Sequence, residues 1–234
     1  MKVIYTHKLQ RTPRIFSFFF KPEHNVHYIP GQFIELYLPH PNKDMRGEKR
    51  WFTLSSSPRE AELYITTNFA VENGSTFKDA LRELEPGTEL KMASPMGDFV
   101  LPKDPSIPLV FVAGGIGCTP YHSIIKDLQL SGDSRDIILL YAANKLEDVA
   151  FREVFDKLGN KFKIVLKNPG PDWDGNVGQL DANMIKELGS VTGEHYIYLS
   201  GPEPMIESLY KELKSSGFNK RHIYTDYFPN YLPI

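Results

Sequence analysis

Around Pro102-Lys103-Asp104-Pro105 the hydrophobic rhythm of the chain changes, and that change limits the folds open to it. Before it, short runs at 2–9, 14–20, 32–38, 50–54, 62–67 and 89–92 read as strands, with polar and apolar residues alternating most strictly at 32–38. A period of two is the signature of a strand with one buried face. Gly/Pro turns separate these runs, which points to an antiparallel barrel or sandwich. One helix is expected among them, near 76–84, with Phe77, Ala80, Leu81 and Leu84 on one stripe. After the break, 108–113 is a continuous apolar run, the kind buried on both faces of a parallel sheet. Strands at 136–142, 163–166, 195–199 and 222–226 then alternate with helices at 148–158, 181–188 and 203–215. Strand–helix alternation implies βαβ units. The expected division is therefore an all-β domain over 1–102 and an α/β domain over 103–234.

A chain of 234 residues has room for two such units, at about 100–200 residues each. Its net charge of −2 argues against a nucleic-acid partner. Cys118 is the sole cysteine, which excludes an internal disulfide framework, a four-cysteine iron–sulfur centre and a cysteine-rich zinc site. A cytoplasmic setting is the expectation from that count. The aromatic cluster at 15–20 is too short to span a bilayer, which takes about 20 apolar residues, and no signal-peptide pattern opens the chain. His24 and His27 lie in a loop-like stretch without a third ligand, so they read as surface histidines and no metal is expected.

Three segments carry the chemistry. Val110-Phe111-Val112-Ala113-Gly114-Gly115-Ile116-Gly117-Cys118-Thr119-Pro120 runs from a buried strand into a helix. Glycines there let backbone approach a ligand, and the helix start offers free N–H groups. A tight strand-to-helix turn is the alternative. Ser200-Gly201-Pro202-Glu203-Pro204-Met205 makes a second such junction, also open to a purely structural reading. On the other side, Arg50-Trp51-Phe52-Thr53-Leu54-Ser55-Ser56 places a guanidinium, an aromatic ring and hydroxyls on one strand, suited to a phosphate and a flat ring, or else to a solvated edge. Asn73-Gly74-Ser75-Thr76 opens the early helix, with Ser75 or Thr76 as its cap.

In this order the segments resemble the ferredoxin–NADP reductase superfamily, in its compact cytochrome b5 reductase-like branch, over nearly the whole chain. The resemblance implies an antiparallel, Greek-key-like β-barrel that binds flavin, followed by a parallel-sheet nucleotide domain. It implies that Arg50 binds the flavin diphosphate together with Gly74, Ser75 and Thr76. Phe52 would lie against the isoalloxazine and Thr53 near its N5. Ser56 completes the motif, and Tyr64, Ile65 and Thr66 would line the flavin. Gly114, Gly115, Gly117, Thr119 and Pro120, with Asn144, Gly201, Pro202 and Met205, would hold the nicotinamide nucleotide. Thr53, Thr119 and Ser200 are the residues it sets beside the reacting atoms. Two departures stand out: Phe52 lacks the usual tyrosine hydroxyl, and Ser200 replaces a cysteine.

The implied function is a flavin-dependent NAD(P)H oxidoreductase that passes electrons through bound FAD, with FMN the lesser choice. Its acceptor would be external: a ferredoxin, a flavodoxin, a haem protein or a small molecule. A free-flavin reductase and a non-catalytic nucleotide-sensing or electron-transfer subunit are the alternatives. Asn144-Lys145-Leu146-Glu147-Asp148 should lie near the adenosine ribose, where acidic Glu147 and Asp148 would repel a 2′-phosphate and Lys145 could attract it, with NADH the favoured donor and NADPH the alternative. The resemblance implies that the aromatic C-terminus folds back over the flavin through Phe228, with Tyr231 as the runner-up; the alternative is that these rings only seal the domain interface.

Overall fold

The computed structural model describes residues 1–41, 43–69 and 74–228, so Asn73 and Tyr231 lie outside the described residues. Strands β1 (Lys2–Gln10), β2 (Ile15–Pro22), β3 (Phe33–Tyr37), β4 (Lys49–Thr53) and β5 (Leu63–Asn68) are followed by helix α1 (Thr76–Arg82) and strand β6 (Glu89–Met92). They form one antiparallel sheet in the order β4-β3-β6-β1-β2-β5. The sheet rolls up because every strand buries one face: Val3, Phe18, Phe20, Ile34, Leu36, Leu54, Ile65 and Leu90 fill the interior, and Phe77 and Leu81 of α1 pack among them. The two edge strands meet at a single bridge, Leu54 to Ile65, and at the Ser55 N–H donating to Tyr64 O at 2.9 Å. The result is a barrel-like sheet that does not close.

The second sheet is parallel. Strand β7 (Leu109–Gly114) leads through helix α2 (Thr119–Ser131) to β8 (Ile137–Ala143), then α3 (Arg152–Phe155), β9 (Phe162–Leu166) and the short β10 (Asn176–Val177). Helix α4 (Ala182–Leu188), strand β11 (Tyr196–Pro202), helix α5 (Glu203–Ser215) and strand β12 (Ile223–Phe228) complete it. The order is β10-β9-β8-β7-β11-β12. Every residue of β7 is buried, as a central strand between two helical layers requires.

The helix expected over 148–158 does not form as one element. Val149 is extended and Phe151 sits in the left-handed region at φ 63°, so the α-helix is confined to 152–155. Left-handed backbone in a bulky residue costs energy and needs a strong local reason, and the packing of the Phe151 ring supplies one below. At α1 the expected side-chain cap is also absent: Ser75 takes the N-cap position but makes no capping hydrogen bond, and Thr76 Oγ1 instead accepts from the Asp44 N–H at 3.2 Å.

Candidate functional site

The parallel sheet reverses direction beside β7. The chain leaves β7 toward β8, β9 and β10, then returns to the other side of β7 as β11. Such a reversal leaves a crevice at the carboxyl ends of the two strands, the place where open α/β sheets take ligands. Both glycine turns open there. Gly114 ends β7, Gly115 turns the chain at φ 52°, residues 115–118 make a 3₁₀ turn, and α2 starts at Thr119 with Pro120 in its first turn. Ser200, Gly201 and Pro202 end β11, and α5 begins at once.

The two turns touch along their backbones. A Cβ on Gly117 would stand 2.1 Å from Ser200 O and 2.6 Å from Gly201 N, and one on Gly201 would stand 3.0 Å from the Gly114 Cα. One on Gly114 would meet Met205 Sδ at 2.5 Å and Pro202 Cδ at 3.0 Å. Two motifs separate in sequence are therefore one surface. The bare Gly117 Cα lets the turn pack against the end of β11. Thr119 is fully enclosed, its Oγ1 donating to Ile116 O at 3.1 Å, so it braces the turn.

Asn144 links the loops after β8 and β9, its Oδ1 accepting from Asn168 Nδ2 at 2.7 Å. Asp148, in the segment expected near the ribose, reaches toward the barrel. Its Oδ1 pairs with Arg14 Nη2 at 3.1 Å and its Oδ2 accepts from the Lys145 N–H. Glu147 pairs with Lys145 at 3.7 Å.

Helix α2 carries the 114–117 turn onto the end of the Arg50–Ser57 segment. His122 Nδ1 donates to Ser55 O at 2.7 Å, and Ser123 Oγ donates to Ser56 O at 2.6 Å. Ser57 Oγ donates to Asp127 Oδ1 at 2.7 Å. Burial holds the imidazole down to about pKa 3, so it is neutral, with its proton on Nδ1. Its ring stacks on Phe151 at 3.9 Å, which accounts for the left-handed backbone at that residue. Arg11 lies over the rings of both Phe151 and Tyr64 and pairs with Glu153 at 3.0 Å. Neither His122 nor Arg11 carries a sequence motif; only their place opposite a strand end gives them meaning.

On the barrel side, Arg50 and Ser75 come together, with Nη2 to Oγ at 3.5 Å, although they lie 25 residues apart. Thr53 is buried opposite Phe33 in the β3–β4 ladder. Phe52 is 7% exposed and its ring stands 5.9 Å from that of Phe77 in the barrel core, leaving little surface for a planar ligand. Ser56 is engaged as a joint: its Oγ accepts from the Tyr64 N–H at 3.1 Å and bonds Tyr28 Oη at 2.8 Å. Tyr64 donates to Glu60, Thr66 bonds Ser17, and Ile65 is core. Among the described residues only Asp79 comes within reach of a Cβ on Gly74. Phe228 stands opposite Pro202 at the end of β12, beside the second glycine turn. Arg50 and Ser75 offer the guanidinium and the hydroxyl that a diphosphate-bearing group needs, and farther along the same segment Ser55 Oγ is buried with no hydrogen-bond partner among the described residues.

Asp226 was not singled out in the sequence. It lies opposite Ser200 in the β11–β12 ladder, its Oδ2 3.5 Å from Ser200 Oγ. Burial pushes its carboxyl up to about 7, the Ser200 hydroxyl lowers it, and Asp98 raises it further. The unfolded chain gives up that proton near about pH 4. Stability should therefore fall as pH rises from about 4 through about 7. Asp226→Asn should flatten this slope in melting temperatures taken from about pH 5 to about pH 8; an unchanged slope in the variant would mean that another group is responsible.

A groove of about 470 Å³ lies along α3, β9 and β10, lined by Trp173, Phe162 and Arg152. It follows the amino-terminal half of β9, away from both glycine turns. Among the described residues no helix is long and apolar enough to cross a membrane, and no group of three His, Cys, Asp or Glu is placed to hold a metal ion.

Residues 111–211 match the oxidoreductase NAD-binding domain family. Ferredoxin–NADP reductase B of Sorangium cellulosum is 27% identical over 208 residues, covering 84% of this chain and 83% of that protein. NADH-cytochrome b5 reductase 1 of Aspergillus terreus is 33% identical over 183 residues, covering 73% and 62%. The flavohem-like FAD/NAD binding domain of the Vibrio cholerae nitric oxide dioxygenase superposes with a TM-score of 0.82 at 22% identity, covering 97% of this chain and 98% of that one. The chain spans 58% of the length of several other curated relatives.

Proposed function

We propose that the chain is a member of the ferredoxin–NADP reductase superfamily, an NAD(P)H-dependent flavoprotein reductase that passes electrons to an external acceptor. One observation carries the reading: two glycine turns meet at the switch point, and α2 bolts them to the Arg50–Ser57 strand segment. A nicotinamide held by the first and a flavin held by the second would be set at a fixed separation. Bound FAD would supply hydride acceptance and onward electron transfer, which the side chains of this site cannot perform.

The chain's own task is positioning. The turns at 114–117 and 200–202 present backbone to the nucleotide. Arg50 and Ser75 present donors to the flavin diphosphate. His122 and Ser123 keep the two halves in register, so donor and acceptor atoms meet at about 3–3.5 Å. Ser200 and Asp226 form a protonatable pair beside that junction. Thr53 would contribute from the barrel side, near the flavin N5. The acceptor would be a haem protein, ferredoxin or flavodoxin. The single buried thiol fits a cytoplasmic setting.

A free-flavin reductase is the second reading, and specific observations favour keeping it. Phe52 offers no hydroxyl and is largely enclosed, and Ser56 is already engaged, so the flavin has fewer anchors. Mass spectrometry of the cofactor released from the purified protein separates the two. Stoichiometric FAD supports a resident group. Protein that arrives empty but reduces added flavin with NADH supports the second reading. Neither bound flavin nor flavin reduction would exclude both.

A further inference from the structure

Asp44 stands in the diphosphate cradle as a built-in anion. Its Oδ1 accepts from Arg50 Nη2 at 3.1 Å and from the Arg46 N–H at 2.9 Å. Its Oδ2 takes the Arg46 side chain in a two-point contact, Nε at 3.1 Å and Nη2 at 2.6 Å. Its backbone N–H reaches Thr76 Oγ1, an oxygen that also bonds His40 Nε2 at 3.1 Å. The loop is thus tied to the two basic side chains and to the hydroxyl implied in diphosphate binding.

Arg50 has little freedom to share. Its Nη1 is held by three carbonyls, those of Arg46 at 2.7 Å, Gly47 at 3.0 Å and Lys49 at 2.7 Å. The edge turned to Ser75 is Nη2, and that same nitrogen holds Asp44. A phosphate oxygen arriving beside Ser75 meets an edge already bearing a carboxylate. Two anions on one guanidinium edge repel, and a guanidinium prefers one two-point partner. The other nearby charges are paired elsewhere, Lys43 with Glu48 and Lys49 with Glu35. Asp79, in the first turn of α1, adds a second carboxylate near Gly74, so the local balance is two arginines against two aspartates.

We propose that Asp44 competes with the flavin diphosphate for Arg46 and Arg50, so that flavin binding exchanges the carboxylate for the diphosphate and flavin is held loosely enough to leave. This rests on the flavin reading above and deepens it: Asp44 sets how dissociable the flavin is, and Arg46 becomes a second diphosphate ligand that no sequence motif marks. The Arg46 side chain beside Asp44 holds its carboxyl down to about 2, so the competitor stays charged at any working pH.

The test is a titration of flavin-stripped protein with FAD and, separately, with riboflavin, which has no phosphate, followed by quenching of flavin fluorescence. Asp44→Asn should bind FAD about tenfold more tightly than the parent while riboflavin affinity stays the same, since only a charged ligand feels the removed charge. Asp44→Ser, which removes the charge with less bulk, must reproduce the gain. Adding Arg46→Ala to Asp44→Asn should remove most of it. Unchanged or weaker FAD binding by both Asp44 variants would overturn the inference and make Asp44 a support for Arg50. A tighter riboflavin complex would overturn it too, by showing a change of shape. Failure of every form, parent included, to bind either flavin would remove the flavin reading itself and this inference with it.

Discussion

Gly117→Val should lower stability by about 3 kcal/mol or more, because a new Cβ meets backbone that cannot swing aside. Its nearest neighbours would be Ser200 O at 2.1 Å, Ser200 C at 2.4 Å and Gly201 N at 2.6 Å. All three belong to β11, which is hydrogen-bonded between β7 and β12, so relief requires moving a central strand. For a chain of this size that loss corresponds to a melting temperature lower by roughly 6–12 °C. Nicotinamide-nucleotide binding should be lost with it, since both turns at the switch point are displaced together. Gly117→Ala should show the same effects in smaller measure, since the clash begins at Cβ. A valine variant with the parent's melting temperature and nucleotide affinity would show that the two turns are not packed as described.

Arg50→Ala carries the next largest effect, on flavin. A hydrogen bond to a charged group contributes about 1.5–3 kcal/mol, so FAD affinity should fall roughly 10- to 100-fold. The guanidinium also gathers the carbonyls of Arg46, Gly47 and Lys49 and covers the Phe77 ring at 5.2 Å, so the 44–49 loop should loosen as well. Arg50→Lys separates the two effects. It keeps the charge but cannot fan out to three carbonyls, so it should recover only part of the affinity. Flavin retention by Arg50→Ala equal to the parent's, judged by gel filtration and absorbance, would place the flavin elsewhere.

Much of this architecture is legible in the residues. The alternation at 32–38 and the unbroken apolar run at 108–113 announce two kinds of sheet, because strand burial on one face or two leaves different periods. The glycine turns are equally legible as strand-to-helix junctions. Their mutual contact is not, since sequence carries no signal that Gly117 and Ser200 share a boundary. The segment at 148–158 misleads for a related reason. Val149, Phe151, Val154 and Phe155 mimic a helical stripe, yet Phe151 is pulled into the left-handed region to stack on His122 of another helix. Asp148 has the composition of a ribose ligand, but its partner Arg14 comes from the β1–β2 turn. Asp226 passes unnoticed among aromatics because its raised proton affinity arises from burial and from the charge of Asp98, which only the fold brings near. Short-range chemistry was readable; contacts between elements were not.

The central claim is that the nucleotide held at the glycine turns reduces flavin held at Arg50. Anaerobic rapid mixing of FAD-loaded protein with NADH, and in parallel with NADPH, measures that step alone, without any acceptor. The expected result is loss of the oxidised-flavin absorbance in a single main phase, saturating with nucleotide and slowed when the transferred hydrogen of the nicotinamide is deuterium. Flavin that stays bound but oxidised at saturating NADH and NADPH would contradict the claim.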